Sequence, residues 1–330
     1  MTKNRDTTFD IMKGMAMLIV IAFHIFPNET CFFSYWRSAL FFIISGYFAK
    51  EQTFKGFLQK GAKPLLLPYV VVCLFMLPFV FIGEYFFNVS IVPIALKSIL
   101  MGSTSFGYLD KWNEVNIGPL WFLCALFWVR LMWFVICKIP KDYVRGGIVI
   151  LLALISCVLK GFVINPWSLL SACGALGFFF SGYIVRKYDL LGSERGKIVA
   201  LPLMVLLAYC MGFSNMVIAS CSYSRGYIIE LLASIAAFML LYAVVQRFAD
   251  VKFYPWRFLN FFGRYSLVVF CLHAVDQCIN VHWFPLKIWS FFITEYELLC
   301  SFVIRVGFVA LGAFLISKNK FLREKIFFIN

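Results

Sequence analysis

Ten stretches of this chain are each long and apolar enough to read as a membrane-crossing helix, which needs about 20 mostly apolar residues. They fall at roughly 11–27, 32–49, 65–86, 118–137, 146–163, 167–185, 198–214, 227–246, 264–281 and 297–317. Composition agrees with them. Hydrophobic residues make up 62% of the chain and charged residues 14%, whereas a soluble domain is about half apolar and about a quarter charged. A soluble protein of 330 residues could not hide this much apolar surface in one core, but a bilayer can. The expected fold is therefore all-α: a polytopic transmembrane helical bundle of about ten spans, with 1–330 forming a single domain. The second stretch is the weakest, because Arg37 interrupts it and the clean run 38–49 is short. The first resembles a signal peptide, yet no small-residue cleavage site follows it, so an uncleaved anchor is expected.

Loop charges give an orientation. With the N-terminus in the cytoplasm, 22 of the 30 Lys and Arg fall on the inner side. The outer side receives Arg37, Lys97, Lys111, Lys160, Arg225 and Lys287, while Arg130 and Arg305 lie within spans. That bias fits an even number of spans with both termini cytoplasmic. It also disposes of nucleic acid as a partner for a chain of net charge +14. The cations that would neutralise phosphates are spread over every inner loop rather than gathered on one surface. No loop is long enough for a second domain; the longest, 87–117, is expected to face outward with Trp112, Asn113, Glu114 and Asn116. The 11 Cys form no CxxC pair and mostly sit within apolar runs, as small hydrophobes rather than metal ligands or disulfides.

Polar groups inside a bilayer are expensive, so each is a functional candidate. In the first span Lys13 stands near the inner start and His24 near the outer end. Eleven residues at about 100° each return to within about 20° of the starting direction. Both side chains therefore lie on one helix face, about 16 Å apart along the axis. A cation at the inner surface and an imidazole most of the way across suit a ligand with a phosphate head and a long thin arm, the shape of a coenzyme A thioester. The alternative is that Lys13 snorkels to the headgroups and His24 bonds a backbone carbonyl. Spacing alone does not choose between them. Asp10, one turn before Lys13, is placed to support it or to cap the helix.

Five segments carry a family resemblance. RDTTFDIMKGMAMLIVIAFH (5–24) has the basic residue, ten spacers and histidine that open the first helix of the acyltransferase-3 family. FFIISGYF (41–48) resembles that family's second-helix signature, and KGAKPLLLPY (60–69) its basic stretch before a Pro-aromatic pair. GPLWFLCALF (118–127) is similar to its outer Trp motif, and GRYSLVVFCLH (263–273) to its late helix ending in histidine. The segments stand in family order, ten helices is the family's usual count, and the opening is most similar to the branch that acetylates sugar hydroxyls. Two departures are visible. Lys60 and Lys63 stand where many members have Arg-x-x-Arg, supplying charge without the bidentate fork. Arg37 stands where a histidine often precedes the FF-x-x-SG run.

The resemblance implies an O-acyltransferase of the inner (cytoplasmic) membrane, multi-pass, using acetyl-CoA or another acyl-CoA as co-substrate with no bound cofactor or metal. Its acceptor would be a glycan or a lipid-linked sugar. Lys60 and Lys63 would bind the donor's phosphates, with Lys13 beside them and the thioester near His24. An imidazole of ordinary pKa near 6.5 can take a proton from an attacking hydroxyl at neutral pH. Whether His24 does this or carries the acyl group transiently is left open at this level. Trp121, His273, Ser45 and Asn116 would line the site or meet the acceptor. Each also has a plainer role: Trp121 in the aromatic belt, Ser45 beside Gly46 in close helix packing, and Asn116 with Glu114 in loop solvation. His282 is expected at the outer boundary, solvated. A transporter or flippase for a lipid-linked sugar would instead show broken helices and a polar pathway. Only Gly174, Gly177 and the Pro68/Pro78 pair hint at that. A sensor without chemistry would leave the Lys13/His24 face unexplained.

Overall fold

The computed structural model describes residues 7–26, 36–88, 90–104, 116–210, 216–248, 254–277 and 297–329. Trp112, Asn113, Glu114 and His282 lie outside the described residues. The helices are α1 (Thr7–Phe23), α2 (Arg37–Tyr47), α3 (Lys63–Phe87), α4 (Val92–Met101), α5 (Trp121–Ile136) and α6 (Asp142–Leu159). They continue with α7 (Leu169–Lys187), α8 (Glu194–Cys210), α9 (Tyr227–Phe248), α10 (Tyr254–Arg264), α11 (Ser266–Gln277) and α12 (Glu297–Lys318). Extended pairing among the described residues is confined to a single antiparallel bridge, Val217 to Ser222.

The all-helical expectation holds. Among the described residues, six helical segments are long and apolar enough to cross a membrane: Phe54–Phe86, Gly118–Ile136, Asp142–Leu159, Pro166–Lys187, Tyr227–Phe248 and Leu299–Lys318. A seventh appears if α10 and α11 count as one broken span. Among the described residues, the stretches expected at 11–27, 32–49 and 198–214 are helical over 17, 11 and 17 residues and do not join those six. The 87–117 segment differs from the loop expected there, because it contains α4. Pro93 stands at the start of that helix, where its missing N–H is no loss. The Glu84 carboxylate accepts from the Ile91 and Val92 N–H groups, both at 2.6 Å. A lone acid at the end of an apolar run thus serves to cap the next helix.

The chain divides into two compact units. Unit 1 comprises Met1–Lys50, Gly177–Ile218 and Ser222–Ser266; unit 2 comprises Glu51–Leu176, Ala219–Cys221 and Leu267–Asn330.

In unit 1 the helices meet backbone to backbone at glycines. A methyl group built on Gly263 would collide with the Asp10 carbonyl and lie 2.9 Å from the Gly14 nitrogen, and one on Gly14 would collide with the Leu259 carbonyl. So α1 and α10 cross with only hydrogens between them. Gly46 and Gly182 do the same for α2 and the second half of α7, against the carbonyls of Phe179 and Ile43. Association of helices in lipid depends on such close packing, because lipid tails are as apolar as the side chains they would replace. Phe9 adds an aromatic cluster with Tyr47, Phe238 and Tyr242 at ring-centroid distances of 4.8, 6.4 and 5.5 Å.

Unit 2 is organised around α3 and α5. At one end, the last carbonyls around α4 accept bonds from three directions: Tyr69 Oη to Ile99 O (2.6 Å), Trp167 Nε1 to Leu100 O (3.0 Å) and Ser168 Oγ to Gly102 O (2.9 Å). These satisfy groups that a helix C-terminus leaves without intrahelical partners. At the other end, the chain enters α3 through a single turn, Phe54–Gly56, and a π-helical turn, Phe57–Ala62.

Candidate active site

In unit 1, α1 carries Lys13 and leads to His24. The helical bonding continues one residue past Phe23, since the His24 N–H donates to Val20 O at 3.4 Å. It then tightens, with Ile25 N–H donating to Ala22 O at 3.0 Å. The register that puts Lys13 and His24 on one face therefore runs through His24, whose side chain is exposed. Lys13 is engaged locally: its Nζ lies 2.7 Å from Asp10 Oδ1, and the Asp10 side chain is only 4% exposed. The support anticipated for Asp10 is thus an ion pair on one helical turn. Lys13 meets any further anion as part of a nearly neutral couple. Arg37, the departure from the family pattern, has its guanidinium 3.4 Å above the Phe23 ring centroid. It joins the start of α2 to the end of α1, one residue from His24. Ser45 in α2 is half-buried, and its neighbour Gly46 is the one pressed on the Phe179 carbonyl. Close packing therefore belongs to the glycine.

In unit 2, Lys60 and Lys63 are both exposed and flank the junction of the π turn with α3. A π turn displaces carbonyls from the regular ladder, and such turns are frequent at functional positions. Here two of them are taken up by Arg130, whose Nη1 donates to Lys60 O (3.3 Å) and Gly61 O (3.2 Å). Phe57 stacks on Phe134 of α5 at 5.5 Å and fixes the turn from its apolar side. Arg130 was legible in sequence as an intramembrane cation in need of partners, but carbonyls freed by a π turn leave no sequence mark.

The remaining candidates separate by environment. Asn116 caps the start of the next helical segment: its Oδ1 accepts from Gly118 N–H at 2.8 Å, and its own N–H donates to Ser98 Oγ at 3.0 Å. Trp121, half-buried, begins α5. Its neighbour Phe122 meets Phe270 of α11 at 5.5 Å, which brings the Trp motif and the late histidine helix together in this unit. His273 is fully buried. One turn further along α11, Asp276 Oδ2 faces Arg305 Nη1 at 3.4 Å, both side chains nearly inaccessible. That ion pair supplies the partner Arg305 demands, and together with buried Gln277 it makes a polar patch beside His273. Sequence reading named His273 and Arg305 separately but missed Asp276 and Gln277. The i, i+3 spacing of His273 and Asp276 was the available signal.

Glu230, also missed, is buried at the start of α9, where it accepts from Ser224 Oγ (3.2 Å) and Arg225 N–H (2.9 Å). Those bonds make it a structural cap. Among the described residues no group of three or more His, Cys, Asp or Glu is placed to hold a metal ion.

The apolar helical segments long enough to cross a bilayer mark the chain as a membrane protein. The match to known families agrees: a family described as an acyltransferase domain covers residues 6–320. The chain belongs to the acyltransferase-3 family and is a multi-pass membrane acyltransferase. No curated protein and no solved structure was found to match it.

Proposed function

We propose that this chain, acting as one acyltransferase domain over 1–330, moves an acyl group, acetyl in the first instance, from cytoplasmic acyl-CoA to a hydroxyl of a cell-surface polysaccharide or its lipid-linked precursor. The membrane would be the cytoplasmic one, with both termini inside. The observation that carries this reading is the exposed His24 at the end of α1, on the same face as Lys13, in a chain of this family.

The reaction balances without a cofactor. The sugar oxygen attacks the thioester carbonyl, the carbon–sulfur bond breaks, and His24 passes the hydroxyl proton onward so that coenzyme A leaves as the thiol. General-base assistance of this kind contributes roughly 10²–10⁴-fold. Lys60 and Lys63 hold the donor's phosphates, and Lys13 acts through its pair with Asp10. His273, Trp121, Ser45 and Asn116 are assigned to the lining of the site. Of these Asn116 works chiefly through the backbone it caps.

The test is transfer of radiolabel from acetyl-CoA into envelope glycan by membranes holding the native chain or His24→Ala. Label that appears and is lost with the variant, at equal membrane insertion, supports the reaction and the residue. An active His24→Ala enzyme would remove the mechanism. No transfer from acetyl or longer donors would favour a carrier of lipid-linked sugar.

A further inference from the structure

The segment after α12 is folded onto unit 2 rather than trailing from it. Leu322–Ile326 form a π-helical turn. Phe327 N–H then donates to Leu322 O (3.0 Å) and Ile329 N–H to Arg323 O (2.9 Å). Phe328 takes a positive φ of 54° to make that return possible, a conformation a bulky residue adopts only when its surroundings enforce it. Phe327 and Ile329 are buried, at 7% and 9% exposure. The Phe328 ring lies 5.7 Å from Lys63 Nζ, and the turn packs on α3. The chain's last residues and its basic turn at 60–63 therefore occupy one end of this unit.

What the segment brings there is charge. Lys318, Lys320, Arg323 and Lys325 stand against one carboxylate, Glu324. Two of the four cations are occupied: Arg323 Nη2 donates to Glu324 Oε1 (2.6 Å), which holds that carboxyl below its usual range, and Lys318 lies over the Phe314 ring at 5.2 Å. Lys320 and Lys325 are exposed, as are Lys60 and Lys63.

Resting on the donor role of Lys60 and Lys63 given above, we infer that the site for the donor's phosphates is built from two chain segments. The carboxy-terminal turn contributes Lys320 and Lys325 beside Lys60 and Lys63. Coenzyme A carries a diphosphate and a separate 3′-phosphate, so one pair of lysines is a meagre match for it and two clusters of point charges are a better one. Anchoring the turn through Phe327, Phe328 and Ile329 fixes the second cluster in place, which lowers the ordering cost of binding.

The experiment measures binding of coenzyme A by calorimetry, with pantetheine, which lacks every phosphate, as competitor. The full chain is held in neutral phosphatidylcholine nanodiscs and, separately, in nanodiscs containing phosphatidylglycerol. Lys320→Gln/Lys325→Gln is expected to raise the coenzyme A Kd roughly fivefold, the scale of two exposed charge contacts, and to leave pantetheine unchanged. Lys320→Arg/Lys325→Arg should retain the native affinity. An equal loss for both ligands would assign the turn to packing, and an unchanged Kd would remove it from the site. A defect confined to the phosphatidylglycerol discs would give the lysines to lipid headgroups. Each of these overturns the inference. Lys60→Gln/Lys63→Gln, run in parallel, separates its failure from that of the parent reading: only the latter predicts that this variant too leaves coenzyme A binding intact.

Discussion

The crossing of α1 and α10 makes Gly263→Ala the sharpest probe of unit 1. The added Cβ would overlap the Asp10 carbonyl and lie 2.9 Å from the Gly14 nitrogen. Both obstacles are backbone, so no side chain can swing away, and the helices must part by more than about 1 Å. A radial gap of about 0.5–1 Å already forfeits a quarter to a half of the dispersion energy across it. The residues at this crossing include Met12 and Phe262, both at 0% exposure, and Ile11 at 2%. Overpacking against an unyielding neighbour belongs at the upper end of its usual range, about 3 kcal/mol. Alanine returns up to about 1 kcal/mol as the better helix former, so the net loss is about 2 kcal/mol. In detergent micelles, tryptophan fluorescence should show a melting temperature lower by about 4 °C. Transfer activity should fall as well, because the displaced Asp10 takes Lys13 with it. Gly147→Ala and Gly307→Ala are the controls. Nothing lies within 4 Å of a methyl at either position, so both should be neutral or slightly stabilising. A Gly263→Ala protein that melts with the controls and keeps full activity would refute the backbone-to-backbone crossing.

Two further substitutions address unit 2. Arg130→Ala should release the π turn by leaving the Lys60 and Gly61 carbonyls without their guanidinium donor. Amide hydrogen exchange across 57–63 should then rise about tenfold, the scale of one charge-assisted bond at about 1.5 kcal/mol. Unchanged exchange would mean that Phe57 and Phe134 hold the turn unaided. Arg305→Ala leaves the Asp276 carboxylate buried without its ion pair and should cost about 3 kcal/mol of stability. Adding Asp276→Asn should recover much of that loss in the same melting assay. A double variant as unstable as the single one would show that the 3.4 Å pair is not what holds the two side chains there.

How much of this could be read from the sequence depends on the kind of interaction. The apolar runs and the Lys13/His24 register were legible because both follow from the chain's own period: a 25-residue α3 and a helix that keeps its bonding through His24 need no tertiary information. The family segments were legible for the same reason, as short local strings. What stayed hidden is relational. Nothing in the string GRYSLVVFCLH says that its glycine exists to admit the Asp10 carbonyl, or in FFIISGYF that Gly46 rather than Ser45 bears the packing. Arg130 and Arg305 announced themselves as costly intramembrane cations, but their partners lie far along the chain: carbonyls at 60 and 61 for one, a carboxylate at 276 for the other. The same distinction bears on the site. Local reading finds the histidine and lysines able to do chemistry. Only packing shows that Lys13 already shares its charge with Asp10, that Asn116 is spent on a helix start, and that the last residues of the chain return to Lys63. A cation that is exposed and unengaged is the better candidate for an incoming phosphate than one already paired. By that criterion the exposed Lys60, Lys320 and Lys325 rank as candidates above Lys13, which Asp10 already holds at 2.7 Å, and above Lys63, which lies over the Phe328 ring.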